Sequence, residues 1–445
     1  MNLFPPTLSA AALTIAAVAS AAPIFPLKGI VLWRDEARDH PELTDSISLE
    51  FSYATPSSLV VGAKPDGSPI IDWAPLEKLL ADIASRGHQA ILRFRYAYPG
   101  EKLPEFPGKR GATGVPKFIK ALADYRETFS PNPGGDGPTY YPDWSHPALE
   151  DFTLRFFKAF AERYDADPRL AFLEVGFGHW AEYHTHGTAV KLGKNFPSKE
   201  FQKVFMEMLS ATMRDTPWLV SIDAAQQKYS DLAADPTLAA LSFGLFDDSF
   251  MHEEHDIGHG DGWNEQCWRR FGTARWRRAP CGGEVSYYRT RDQREFLSPK
   301  GLYGITWKEA AAKYHLTFMI GNDSLAGKFA TPKRLLEAAA ECGYSFRLAS
   351  AKADGNTLVV EIANDGVAPV YHNAMPAVET ARGEIRAAGT LAGLQPGERR
   401  TFRLEFPERP PKNAAGSLRI VSPKLLPGAA LPLASAPSGQ PLPLD

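Results

Sequence analysis

Eight short runs rich in β-branched and aromatic residues recur along the first three quarters of the chain, each separated from the next by a helical pattern or a Gly/Pro-rich turn. They are Gly29 to Trp33, Ile47 to Phe51, Gln89 to Phe94, Leu170 to Gly176, Leu219 to Ile222, Leu241 to Phe246, Gly283 to Ser286 and His315 to Ile320. A helix between two strands returns the chain to the same end of the sheet, so the strands pair in parallel and both sheet faces are covered. Eight such units over about 320 residues fit an α/β fold of the TIM (β/α)8 type, enlarged by loop insertions, better than a six-stranded dinucleotide fold. No G-x-G-x-x-G follows any run, so the dinucleotide alternative lacks its phosphate-binding turn.

The intervening helices show a 3.6-residue apolar period: Trp73 to Ser85, with Leu76, Leu79, Leu80 and Ile83 on one face, then Pro147 to Tyr164, Lys199 to Thr212, Trp307 to Lys313 and Pro332 to Ala340. Asp72 and Thr331 stand where N-caps are expected. After Cys342 the pattern changes to Tyr344 to Ala351, Thr357 to Ala363, Arg386 to Thr390 and Thr401 to Phe406, with turns at Asp354-Gly355-Asn356 and Pro396-Gly397-Glu398 and no helix between them. This predicts a small antiparallel β-sandwich. The expected organisation is a signal peptide over 1–22, the barrel over 23–341, the sandwich over 342–422 and a Pro-rich tail over 423–445, the tail either an extended strap or disordered.

The signal peptide is read from the apolar stretch Leu8 to Ser20 and the small residues Ala19, Ala21 and Ala22, although no Lys or Arg precedes it. No stretch approaches the roughly 20 apolar residues of a membrane span. A formal net charge of -3, with no run of one sign, leaves nothing to draw the chain to nucleic acid or an anionic membrane. That charge balance points to a neutral or small partner, and no protein partner and no cofactor is inferred. Three cysteines are too few for a disulfide scaffold, although a Cys267–Cys281 bridge would suit an oxidising compartment.

In a TIM barrel the reactive groups gather where strands end at the C-terminal face. Glu182 follows the fourth run in Gly178-His179-Trp180-Ala181-Glu182-Tyr183-His184, and Glu284 lies in the seventh in Cys281-Gly282-Gly283-Glu284-Val285. Strands four and seven face each other across the mouth, so two carboxyls there can meet over one glycosidic bond, one as acid and the other as nucleophile or base. The bland alternative pairs Glu284 with Arg93 or Arg95 and leaves Glu182 solvated. Trp33, Tyr96, Tyr98, Trp144, Trp180, Tyr183, Trp263 and Tyr287 are candidates to stack on a sugar's CH faces, while Arg34, Arg93, Arg95, His184, Asp247 and Asp248 are candidates for its hydroxyls. The stretch His252 to Asp261 carries metal-ligand residue types but lacks H-E-x-x-H spacing and reads as a solvated lid. His179, His184 and His186 suit substrate contact or pKa tuning better than a ligand cage, so no metal is expected.

Tyr141-Pro142-Asp143-Trp144, Leu173-Glu174-Val175-Gly176-Phe177-Gly178-His179-Trp180-Ala181-Glu182, Asp247-Asp248, Gly282-Gly283-Glu284 and Asn364-Asp365-Gly366-Val367-Ala368-Pro369-Val370-Tyr371 together resemble secreted bacterial barrels labelled β-galactosidase-like. The resemblance implies kinship to barrel hydrolases whose acid/base and nucleophile lie on strands four and seven, here Glu182 and Glu284. Two departures stand out: Ala181 takes the place of the Asn that usually precedes the acid/base, and also of the Gly in the W-G-E pattern. Three readings follow, a glycoside hydrolase, a non-catalytic carbohydrate-binding barrel, and a polysaccharide lyase that uses Arg93, Arg95 and Tyr96 on an acidic sugar. Export predicts a mature chain that begins near Ala22 or Pro23, and N-terminal sequencing of secreted protein checks it.

Overall fold

The computed structural model describes residues 24–131, 135–321, 329–411 and 414–434, so the expected signal peptide and the end of the tail lie outside the described residues. Eight parallel strands close into a barrel: β1 (Gly29–Trp33), β2 (Leu49–Ala54), β3 (Gln89–Phe94), β4 (Leu170–Val175), β5 (Trp218–Ser221), β6 (Gly244–Phe250), β7 (Cys281–Val285) and β8 (Phe318–Ile320). Each pairs with its sequence neighbour, and β8 closes the ring on β1 with Gly29 opposite Phe318. The runs read from sequence are these strands, displaced at their ends by up to four residues.

The helices pack an apolar stripe on the barrel's outer face. In Pro147–Tyr164, Phe152, Phe156 and Phe160 recur every four residues and are all buried. Helix starts are fixed by side-chain caps: Ser198 accepts from the Phe201 amide, Thr331 from the Arg334 amide, and Thr306 and Glu309 form a reciprocal capping box. Asp72 accepts from the amide of Ala74 at 2.9 Å. All three cysteines are free and buried, so the contemplated Cys267–Cys281 bridge is absent.

The C-terminal region forms two antiparallel-based sheets. One holds β9 (Phe346–Asp354), β10 (Thr357–Asn364), β13 (Arg399–Glu405) and β15 (Leu433–Ala434); the other holds β11 (Met375–Thr380), β12 (Gly383–Arg386) and β14 (Leu418–Val421). The expected strand Arg386 to Thr390 is wrong: only Arg386 is extended, and the chain turns after it. Strands β11 and β14 are additions. Pro376 in β11 hides that strand from a pattern search, because proline reads as a breaker, yet it is tolerated where no ladder amide is needed.

A continuous apolar cluster runs from the barrel interior, through Val31, Phe51, Phe172 and Phe318, into the sheets at Leu348, Val360 and Phe402. The contacts all fall at the strands' N-terminal ends. His372 bonds the Ala171 carbonyl at 2.8 Å, Lys28 reaches the carbonyls of Cys342 and Tyr344, and Gln89 donates to the Lys424 carbonyl. Lys424 in turn reaches the carbonyls of Asp165 and Asp167 at 2.7 Å, so the first part of the tail is a strap under the barrel. The sheets plug one end, leaving the C-terminal ends of the strands open. Among the described residues, no helix is long and apolar enough to cross a membrane.

Burial pushes the His372 imidazole down to about 3 from its ordinary 6.5. The unfolded chain therefore takes up a proton between those values that the folded one does not. The stability from neutral His372 is present above about pH 6.5 and is lost as pH falls toward 3, at about 1.4 kcal/mol per pH unit for one proton. Chemical denaturation at pH 7, 5.5 and 4.5 is expected to show a shallower decline in His372→Gln than in the parent; equal slopes would count against this account.

Candidate active site

The interior charge begins with Arg93, next to the C-terminal end of β3 and opposite Glu174 of β4 in the register. Its guanidinium is fully buried against the rings of Phe246 and Phe51, at 4.3 and 5.0 Å. Nε donates to Glu174 at 2.7 Å. Nη2 lies 2.6 Å from Glu174 and 2.7 Å from Glu284 but off the line of its N–H bonds, so these are charge contacts rather than aligned hydrogen bonds. Nη1 lies 3.4 Å from Glu182. One guanidinium thus touches three carboxyls. Burial, partly opposed by Arg93, pushes Glu174 up to about 7.

Two tight backbone approaches deliver the other carboxyls. Gly283 sits at φ +147° where a β-carbon would meet the Asp247 carbonyl at 2.0 Å, so glycine lets β7 lie close against β6 and aims Glu284 inward. At Gly176 a β-carbon would meet the Ala181 carbonyl at 1.7 Å, because the loop after β4 folds back on its own strand. That loop passes through Trp180 and Ala181, both left-handed at φ 54° and 62°, immediately before Glu182. Consecutive left-handed non-glycine residues hold strain of order 1–2 kcal/mol each.

Glu182 is buried, with Oε2 2.7 Å from His184 Nε2, and shares a hydrogen bond with Asp248. Burial first, and then the Asp248 charge, hold its carboxyl well above the usual range. Burial also holds His184 well below 6.5, so their contact joins a neutral acid to a neutral imidazole. Asp223, 4.0 Å from His184, is raised by burial and by Asp248. Glu284 differs: it takes Arg93 on Oε1 and the Tyr287 hydroxyl on Oε2 at 2.9 Å. Asp247 differs again. Burial would raise it, but His255 at 2.9 Å and the Trp268 indole lower it, and His255 is raised in return to about 9, despite burial, by Asp247.

These groups surround a cavity of about 800 Å³ at the open barrel end. Of the residues singled out from sequence, Trp33, Trp180, Glu182, His184, His186, Asp248, Glu284 and Tyr287 line it, as does Trp263. The others do not. Arg93 lies beneath the floor. Arg95 is 3.9 Å from the Tyr53 ring and 4.8 Å from that of Trp180 and is paired with Glu101, so it backs the wall. Asp247 faces the His255 side. Arg34 points outward and pairs with Asp35. Tyr96 and Trp144 are buried edge to face, with the Tyr96 hydroxyl on Thr153, because both face the helix Pro147–Tyr164 and its neighbours rather than the mouth. Tyr98 and Tyr183 are buried too. The stretch His252 to Asp261, read as a solvated lid, is exposed over most of its length, but His252 and His255 are buried and Asp256 is half-buried.

Sequence reasoning missed Tyr53, Asp223, Asn264, Tyr288 and Asp136, all on the cavity wall, and Glu174 beneath it. Asp223 directly follows the fifth run, so the strand-end rule already pointed there. Tyr53 was hidden by a second strand read three residues too short.

No family model matches the chain, and no curated protein matches it. Solved structures similar in fold include endo-glycoceramidase II from Rhodococcus sp. (11% identity, 86% of this chain and 97% of that one, TM-score 0.45). Others are a family 39 glycoside hydrolase from Bacteroides cellulosilyticus (9%, 86% and 81%, 0.40) and a tri-modular endo-β-1,4-glucanase from Bacillus licheniformis (10%, 84% and 65%, 0.37).

Arg93→Met is expected to lower the unfolding free energy by about 3–5 kcal/mol, since it leaves Glu174 and Glu284 buried without their cation. Adding Glu174→Gln should recover part of the loss. Urea denaturation at pH 7 measures both; an Arg93→Met protein as stable as the parent would contradict the charge cluster.

Proposed function

We propose that the chain is a glycoside hydrolase acting on an oligo- or polysaccharide with retention of configuration, Glu182 serving as acid/base and Glu284 as nucleophile. The observation that carries this is the unlike surroundings of two carboxyls on one cavity. Glu182, buried beside Asp248 and His184, holds its proton well above the usual carboxyl range and can give it to a leaving oxygen. Glu284 has a cation and a hydroxyl donor, the partners that steady an anion before attack at the anomeric carbon. A single guanidinium touches both, which supports the closer of the two spacings, about 5 Å, over the roughly 6.5–9.5 Å that admits a water for inversion.

Trp33, Trp180, Trp263 and Tyr287 give the cavity flat apolar walls for pyranose rings, and its volume has room for several sugar units. The same residues resemble those of the β-galactosidase-like barrels, and the apolar N-terminal stretch supports export as part of this reading. The lyase reading loses its support: neither Arg93 nor Arg95 faces the cavity, and each already holds a carboxylate, so neither is free to neutralise a uronate.

Glu284→Gln is expected to abolish glycoside cleavage. Glu182→Ala should retain slow turnover of aryl glycosides with good leaving groups, which need little protonation. Rates on activated and unactivated substrates, with the product anomer followed by NMR, test both assignments. Unchanged activity in either variant would defeat the assignment of that carboxyl, whereas no cleavage by the parent protein would favour the non-catalytic binding barrel.

A further inference from the structure

Beside the carboxyl cluster, a second group of chemistry-bearing side chains stands on the cavity wall. Asp136 comes from the excursion between β3 and β4, whereas His179 and His186 come from the loop after β4. One donor atom from each lies within 4.8 Å of the others. We propose that Asp136, His179 and His186 form a binding site for a divalent cation of the zinc class, which ties these two loops together at the cavity rim.

The hydrogen-bond inventory supports it. The Tyr141 hydroxyl accepts from the His186 amide at 3.0 Å and has a single proton, for which the His186 carbonyl at 3.1 Å and His179 Nδ1 at 3.2 Å compete. When the carbonyl takes it, His179 carries its own proton on Nδ1 and donates to Tyr141. The Nε2 lone pair then faces the Asp136 carboxylate at 3.0 Å. A lone pair and an anion at that distance require a proton or a cation between them. An imidazole whose outer nitrogen is held by a hydroxyl or carbonyl while the inner one meets a carboxylate is the arrangement that orients histidine toward a metal.

The rings of His179 and His186 stack at 4.7 Å, and His186 faces the open cavity with room to turn toward the ion. Two imidazoles and one carboxylate favour zinc, cobalt or nickel over calcium or magnesium, which prefer oxygen-only shells. Three protein ligands leave a fourth position open to the cavity. The spacing of the histidines alone argues against a cage because the third ligand comes from 43 residues upstream of His179.

The test uses the full chain, stripped with a chelator and titrated with Zn²⁺ by calorimetry and with Co²⁺ by visible absorption. One equivalent should bind, with the intense d–d bands of four-coordinate cobalt. Asp136→Asn and His186→Ala should weaken zinc by about 100-fold or more, and Tyr141→Phe by about 10–100-fold, as loss of an outer-shell partner does. Circular dichroism should show each variant folded, and Asp136, part-exposed on its loop, is the substitution least able to disturb the fold. Glu182→Gln should leave zinc affinity unchanged. No binding to the parent chain, or binding that survives Asp136→Asn and His186→Ala but is lost in Glu182→Gln, would overturn the proposal; the latter would move the ion to Glu182, His184 and Asp248. Neither result depends on glycoside cleavage.

Discussion

Everything at the open end of the barrel depends on the fact that one buried cation is shared among more carboxyls than it can neutralise. Arg93 is shut off from solvent among aromatic faces, the Tyr53 hydroxyl, the Trp180 carbonyl and the side chains of Glu174, Glu284 and Glu182. A buried charge without a partner is far more costly than a surface one. The barrel interior therefore fixes the positions of β3, β4 and β7 relative to each other through charge as well as packing. The same contact that steadies the fold brings carboxyls from opposite sides of the mouth to a common point.

Because the charges do not balance, protons must. Glu182 and Asp223 are pushed up by burial and by Asp248, Glu174 rises to about 7, and the nearby His184 is driven neutral. Asp247 escapes because it has its own cation, His255, on the far side of β6. Neighbouring residues in one strand, Asp247 and Asp248, are thus shifted in opposite directions. The alternation of strand side chains sends one behind the wall and the other into the cavity.

The barrel was legible for a physical reason: strands covered on both faces read as near-continuous apolar runs, and helices on one face show their stripe. Ala90-Ile91-Leu92 and Leu170-Ala171-Phe172-Leu173 leave little room for another reading. The antiparallel sheets were harder, since Met375–Thr380 carries a proline and Leu418–Val421 is only four residues long. In the site, strand position brings a residue to the barrel mouth but does not say whether its side chain turns into the cavity or toward the helix layer. Glu182 and Glu284 are legible on that basis. Tyr96 and Trp144 pass the same test but turn toward the helix layer, and no spacing distinguishes them from Trp180. Asp136 is illegible for the opposite reason: it belongs to an excursion whose path the chain's periodicity does not encode.

The left-handed pair Trp180–Ala181 shows how fold and site constrain each other. A relaxed loop after β4 would carry Glu182 away from Arg93 and Asp248; the turn that brings it back needs positive φ at two residues that are not glycine. What holds them there is the absence of a side chain at Gly176, which lets the Ala181 carbonyl approach, together with the bonds from the Gly178 amide to the Glu182 carbonyl and from the His179 amide to the His184 carbonyl, both 2.9 Å. The wall is reinforced by Arg95 behind the Trp180 ring. The departure from glycine at position 181 is therefore not a loss of the turn. The surrounding bonds over-determine the backbone, and local strain persists because releasing it would uncover a buried acid and detach an aromatic wall at once.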